Sequence, residues 1–182
     1  DYSNLPAGLS STYINTWNTY FSATNNTSWP YPQMPVQTNA VKGMPTWNQV
    51  KVLGTSNTYL YTCTIYDEKG RAIQVQTTNV TGGTDVITTQ YNWVGQPLVI
   101  IQKQEKGGST NAQTTVVVTA NTYDDLGRVT KVEKKLSNTL VNTGAMPSAF
   151  KTILQNEYDQ LGQLKTKKLG TKPNTSTELE SM

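Results

Sequence analysis

The 182-residue chain contains no histidine. That absence removes Ser-His-Asp and Cys-His nucleophile systems as commonly built. It also removes His-ligated zinc and non-haem iron sites. Cysteine is almost missing too. The single Cys63 cannot close an internal disulfide, and between Thr62 and Thr64 in an expected strand it reads as a small buried residue. Charged residues are few, at 15%, and the net charge of +3 is mild. The lysines are spread over strands and loops, which leaves no footprint for nucleic acid. No apolar run is long enough for a transmembrane helix. The opening Asp1-Tyr2-Ser3-Asn4-Leu5-Pro6 is not a signal peptide and lacks an initiator Met. It reads as an internal piece of a longer protein, or a processed product.

Hydrophobic residues make up only 35%, so a thin core is expected. Thr, Asn, Gln, Ser and Gly supply the balance. Low charge separates the chain from charged disordered tails. Abundant Thr, Val and Tyr favour strands.

Against this background a short phrase occurs four times. It reads Tyr66-Asp67-Glu68-Lys69-Gly70-Arg71, then Tyr91-Asn92-Trp93-Val94-Gly95-Gln96. It returns as Tyr123-Asp124-Asp125-Leu126-Gly127-Arg128 and Tyr158-Asp159-Gln160-Leu161-Gly162-Gln163. Internal repetition sets architecture before any other signal. The phrase predicts a tight turn between two strands. Asp or Asn bonds its side chain to backbone N–H groups further on. Gly takes the positive φ that follows a type I turn. The Tyr closes the incoming strand and the Arg or Gln opens the outgoing one. The tyrosines lie 25, 32 and 35 residues apart, so the variable length falls in the loops opposite the phrase.

The fold expected is all-β: an antiparallel meander of long hairpins forming a curved sheet, with the four turns along one rim. Residues 47–170 carry this sheet. Residues 1–46 form an irregular segment rich in Pro and Trp. Within it residues 10–21 fit a short amphipathic helix or a strand equally well. Residues 171–182 read as a flexible polar tail. Along the strand after Arg71, Ile73 and Val75 fall on one face and Gln74 and Gln76 on the other. The alternation is poor after Arg128, where Val129, Lys131 and Glu133 share a face, and before Tyr158, where Asn156 and Leu154 lie on the tyrosine side. Both faces of the sheet therefore read as rather polar, as a wall with two wet sides.

The turn phrases resemble the bacterial Rhs or YD-repeat family, over roughly residues 43–170. The same family includes teneurin YD shells and the B and C components of insecticidal toxin complexes. The first and third phrases fit its signature closely, while Tyr91 and Tyr158 open degenerate copies with Gln96 and Gln163 in place of Arg. Val52-Leu53-Gly54 and Gly82-Gly83-Thr84-Asp85-Val86 are also similar to the family. The resemblance implies a strand ribbon wound into a hollow shell that encloses or presents a toxin domain. It implies an exported protein, secreted or at the cell surface. Its partners would be neighbouring ribbons of the same polypeptide, an enclosed toxin domain or a secretion-system component. The self-cleaving aspartyl core of such shells is not expected here, because the chain has no Asp-Pro pair.

No enzymatic activity, cofactor or metal is expected. Asp67, Asp124, Asp125 and Asp159 could be paired as glycosidase carboxylates. Their place inside a repeated turn assigns them to capping instead. The alternative function is a binding module for glycans or a partner-cell receptor. Trp17, Trp29 and Trp47, together with Trp93, are its candidate stacking platform; the competing reading has the first three plugging one end of the sheet. Asn25, Asn79 and Asn174 head sequences that match glycosylation acceptors.

Overall fold

The computed structural model of the chain describes residues 1–22, 28–55, 57–171 and 178–181. Its strands are β1 (Trp47–Lys51), β2 (Tyr59–Tyr66), β3 (Ala72–Thr78), β4 (Thr84–Tyr91) and β5 (Pro97–Lys106). They continue as β6 (Gln113–Tyr123), β7 (Val129–Asn138), β8 (Lys151–Tyr158), β9 (Leu164–Thr171) and β10 (Glu178–Ser181). The ten strands form one sheet in which each lies beside its sequence neighbours. Every pairing is antiparallel. The sheet is an open all-β meander with β1 and β10 at its edges.

The four phrases join β2 to β3, β4 to β5, β6 to β7 and β8 to β9. In a meander these alternate connections share one rim. Each is followed by the same irregularity. Tyr66 pairs with Ala72 but Ile65 with Gln74, so Ile73 is passed over. By the same shift Leu98, Thr130 and Lys165 are passed over after the other three turns. Each is a β-bulge, which re-aims the strand leaving the turn.

The bulge overturns the simple alternation along β3. Ile73 does not stand opposite Gln74 and Gln76: all three are buried, at 1%, 1% and 0% exposure. Ile73 packs with Cys63 and Ile65. That face of the sheet is not wet. The described part of residues 1–46 forms a strap, and its first 22 residues lie across this face, which corrects the expectation of two polar faces. Tyr2, Leu5, Leu9 and Tyr13 of the strap cover Cys63, Ile65 and Ile73. Further along, Trp17, Tyr20 and Phe21 cover Leu98, Val99, Ile101, Val116 and Val118. Each fully buried Ile in these clusters contributes about 1.5–3 kcal/mol. Residues 10–21 are neither a regular helix nor a strand, beyond one 3-10 turn at Asn18–Tyr20.

In the stretch expected to be a polar tail, Thr171 ends β9 and Glu178–Ser181 pairs with that strand as β10. Residues 172–177 and 182 lie outside the described residues, as do Asn25 and Asn174.

Candidate functional site

The four turns share one hydrogen-bond pattern. The Asp or Asn backbone N–H donates to the carbonyl of the Arg or Gln four residues on, at 3.0 Å for Asp67, 2.9 Å for Asn92, 3.0 Å for Asp124 and 2.9 Å for Asp159. The glycine N–H returns to the carbonyl of that Asp or Asn. Gly70, Gly95, Gly127 and Gly162 have φ between 74° and 93°, as the turn requires. The side-chain oxygen of Asp67 accepts from the N–H of Lys69 and of Arg71, at 3.0 and 2.9 Å. Asp124 and Asp159 repeat this double acceptance. Of the carboxylates in the phrase, Asp67, Asp124 and Asp159 are consumed in this way; Glu68 and Asp125 take no part in it.

The last residue of the phrase completes the turn. Arg71 Nε donates to Asp67 Oδ2 at 2.7 Å, and Arg128 Nε to Asp124 Oδ2 at 2.6 Å. In the second copy both charges are gone together. Asn92 Nδ2 donates to Gln96 Oε1 at 2.7 Å, a neutral amide pair in the place of the ion pair. The Gln that looked degenerate in the second phrase is therefore matched to its Asn. Burial pushes the Asp124 carboxyl up, but the backbone N–H and guanidinium of Arg128 outweigh it and hold the group below its ordinary value.

Arg71 and Gln96 also reach the next turn, whereas Arg128 Nη1 is buried with no hydrogen-bond partner. Arg71 Nη1 donates to the carbonyl of Asn92 at 3.0 Å. Gln96 Nε2 donates to the carbonyl of Gly127 at 2.8 Å. The tyrosines reach back. Tyr91 Oη donates to the carbonyl of Ala72, Tyr123 to that of Pro97 and Tyr158 to that of Val129, each at 3.0 Å. Tyr66, with no earlier copy of the phrase before it, donates to the carbonyl of Pro45 in the strap at 2.9 Å. Arg71 lies over the Tyr91 ring at 4.9 Å and Arg128 over that of Tyr158 at 4.3 Å. Burial pushes the Tyr91 and Tyr123 phenols above their ordinary range, so both stay protonated donors at neutral pH. The phrase is thus both a turn and a rung that fastens one turn to the next.

A second set of residues was not singled out by sequence. The side-chain amides of three buried glutamines clamp the strap by its backbone. Gln76 accepts from the N–H of Ser10 at 2.7 Å and donates to its carbonyl at 3.3 Å. Gln74 does the same to Ile14, and Gln90 to Ser22, at distances of 2.9–3.0 Å. Gln37, from the strap itself, bridges the N–H of Tyr13 and the carbonyl of Ser11. The available signal was a run of Gln at alternate positions in strands otherwise rich in Ile, Val and Thr.

The tryptophans do not form one platform. Trp17 stacks on Tyr20 at 6.3 Å above one cluster. Trp47 packs on the other. Trp29 meets Tyr31 edge-on, half-exposed and away from both. Trp93 projects at the second turn, with Lys69 Nζ 3.5 Å from its ring centre. Cys63 is fully buried, and burial pushes its thiol up. Asn79 spends its amide on Asp85 and on the carbonyl of Glu105. Among the described residues no cluster of Cys, Asp or Glu is placed to hold a metal ion. None of the family models, curated proteins or solved structures compared with the chain matches it.

Proposed function

We propose that the chain is a non-catalytic length of wall from a large exported Rhs or YD-repeat protein, helping to enclose or present a toxin domain. The observation that carries this reading is the rung. The repeated residues are spent on holding one turn to the next, and little of their chemistry is left to act on a substrate. A ladder of this kind can be extended by adding hairpins, because the Tyr hydroxyl of the second, third and fourth copies finds the same carbonyl, that of the residue just past the preceding turn. The neighbouring ribbons of the same polypeptide would then be its first partners.

Electron microscopy of the parent polypeptide tests the reading. The expected result is a closed particle whose wall contains β2–β9, with further Tyr-Asp-x-x-Gly turns continuing the rim. A parent lacking further copies, with this sheet standing alone on the surface, would overturn it.

A further inference from the structure

The strap covers one face of the sheet; the other carries an unexplained arrangement. Lys135 lies over the rings of Tyr20 and Phe150 on the strap side. Its neighbours Lys134 and Leu136 therefore project from the opposite face. There Lys134 stands directly across from Lys151 in the β7–β8 register. Like charges directly opposite one another destabilise a sheet. Among the described residues neither lysine has a carboxylate partner; the nearest acid in sequence, Glu133, is bonded to Lys131. Beside this pair is a groove of about 370 Å³ lined by Val117, Leu136, Pro147 and Ile153, with part of Lys135 also reaching its wall. Leu136 and Ile153 are 55% and 45% exposed.

We propose that this groove binds a linear anionic amphiphile of the fatty-acid class, with its carboxylate between Lys134 and Lys151 and its alkyl chain along Leu136 and Ile153. Both lysines are exposed, and two opposed cations with no carboxylate between them attract a negative head group. The lining beyond them offers almost no hydrogen-bonding atoms. A polyol or a peptide backbone laid there would leave its own polar groups unsatisfied, whereas an alkyl chain loses nothing. The volume lies at the small end of ligand pockets, which suits a single chain. The wall reading is independent of this site.

The test is calorimetric titration of the whole chain with dodecanoate below its micelle concentration, beside dodecanol and dodecylamine. Saturable one-to-one binding of dodecanoate, at least tenfold tighter than either analogue, is expected. Lys151→Glu turns the repelling pair into an attracting one. It should raise the melting temperature and yet abolish dodecanoate binding, and Lys134→Glu should do the same. Equal affinity for dodecanol, or full binding by both variants, would overturn the proposal. So would binding confined to anionic phosphatidylglycerol vesicles or to an acidic peptide, with none to monomeric dodecanoate.

Discussion

The hydroxyl of Tyr123 donates to the carbonyl of Pro97 at 3.0 Å, across the gap between the second and third turns. From the other side of that gap Gln96 reaches the carbonyl of Gly127. Two bonds in opposite directions thus tie these turns together. The repeated Tyr and the repeated Arg or Gln are two halves of one fastening.

Removing a tyrosine hydroxyl should cost different amounts at different rungs. The Pro97 carbonyl also accepts from Asn121 Nδ2 at 2.9 Å, so it stays satisfied when Tyr123 becomes Phe. No second side chain reaches the Ala72 carbonyl among the described residues. Tyr91→Phe should therefore lose about 1–2 kcal/mol and Tyr123→Phe less than about 1. Urea unfolding of the two variants side by side measures the difference.

The turn glycines are also unequal. An added Cβ at Gly127 would stand 2.6 Å from Gln96 Nε2, whereas at Gly95 it would meet nothing within 4 Å. Both positions carry positive φ. Gly95→Ala should cost about 1 kcal/mol for backbone strain alone. Gly127→Ala should cost about 2–3 kcal/mol, because it also pushes Gln96 off its rung. Comparing denaturation midpoints at equal slope checks the order.

The strap depends on its glutamines. Gln76→Leu keeps the volume but strands the N–H of Ser10 and leaves its carbonyl only the weak thiol donor of Cys63. The expected loss is about 1–3 kcal/mol. Amide exchange should accelerate at Ser10, which bonds Gln76, and not at the turn glycines. Hydrogen exchange resolved by residue measures both.

The ion pair in the third turn predicts a pH response. The Asp124 carboxyl lies below its ordinary value in the folded chain. A depressed carboxyl adds stability above its unfolded pKa of about 4, and that stability is lost as pH falls through the lower folded value. Asp124→Asn with Arg128→Gln imports the neutral pairing of Asn92 and Gln96. The double variant should be more stable than either single one. Its acid limb should be shallower than that of the parent chain when melting is followed from pH 5 to pH 2.

Much of this was legible from residues that act locally. Asp67 caps its own turn within four residues, and Gly70 needs its φ wherever it folds, so both were plain in the sequence. The bulge at Ile73 was not, because period-two alternation holds only while no residue is skipped. Gln74 and Gln76 read as wet, and Gln90 drew no reading, for a different reason. Their partners lie 60–68 residues away and are backbone atoms, which leave no mark on side-chain composition. The onward reach of Arg71 and Gln96 was hidden in the same way, since each ends on a carbonyl.

The most direct measurement is a double-mutant cycle on unfolding free energy for Arg71→Met and Tyr91→Leu, residues of successive turns. A coupling of at least about 0.5 kcal/mol is predicted for this pair, with none for Arg71→Met and Tyr123→Leu two turns apart. Additivity of the neighbouring pair would contradict the ladder, leaving four separate hairpins whose shared residues do nothing for one another.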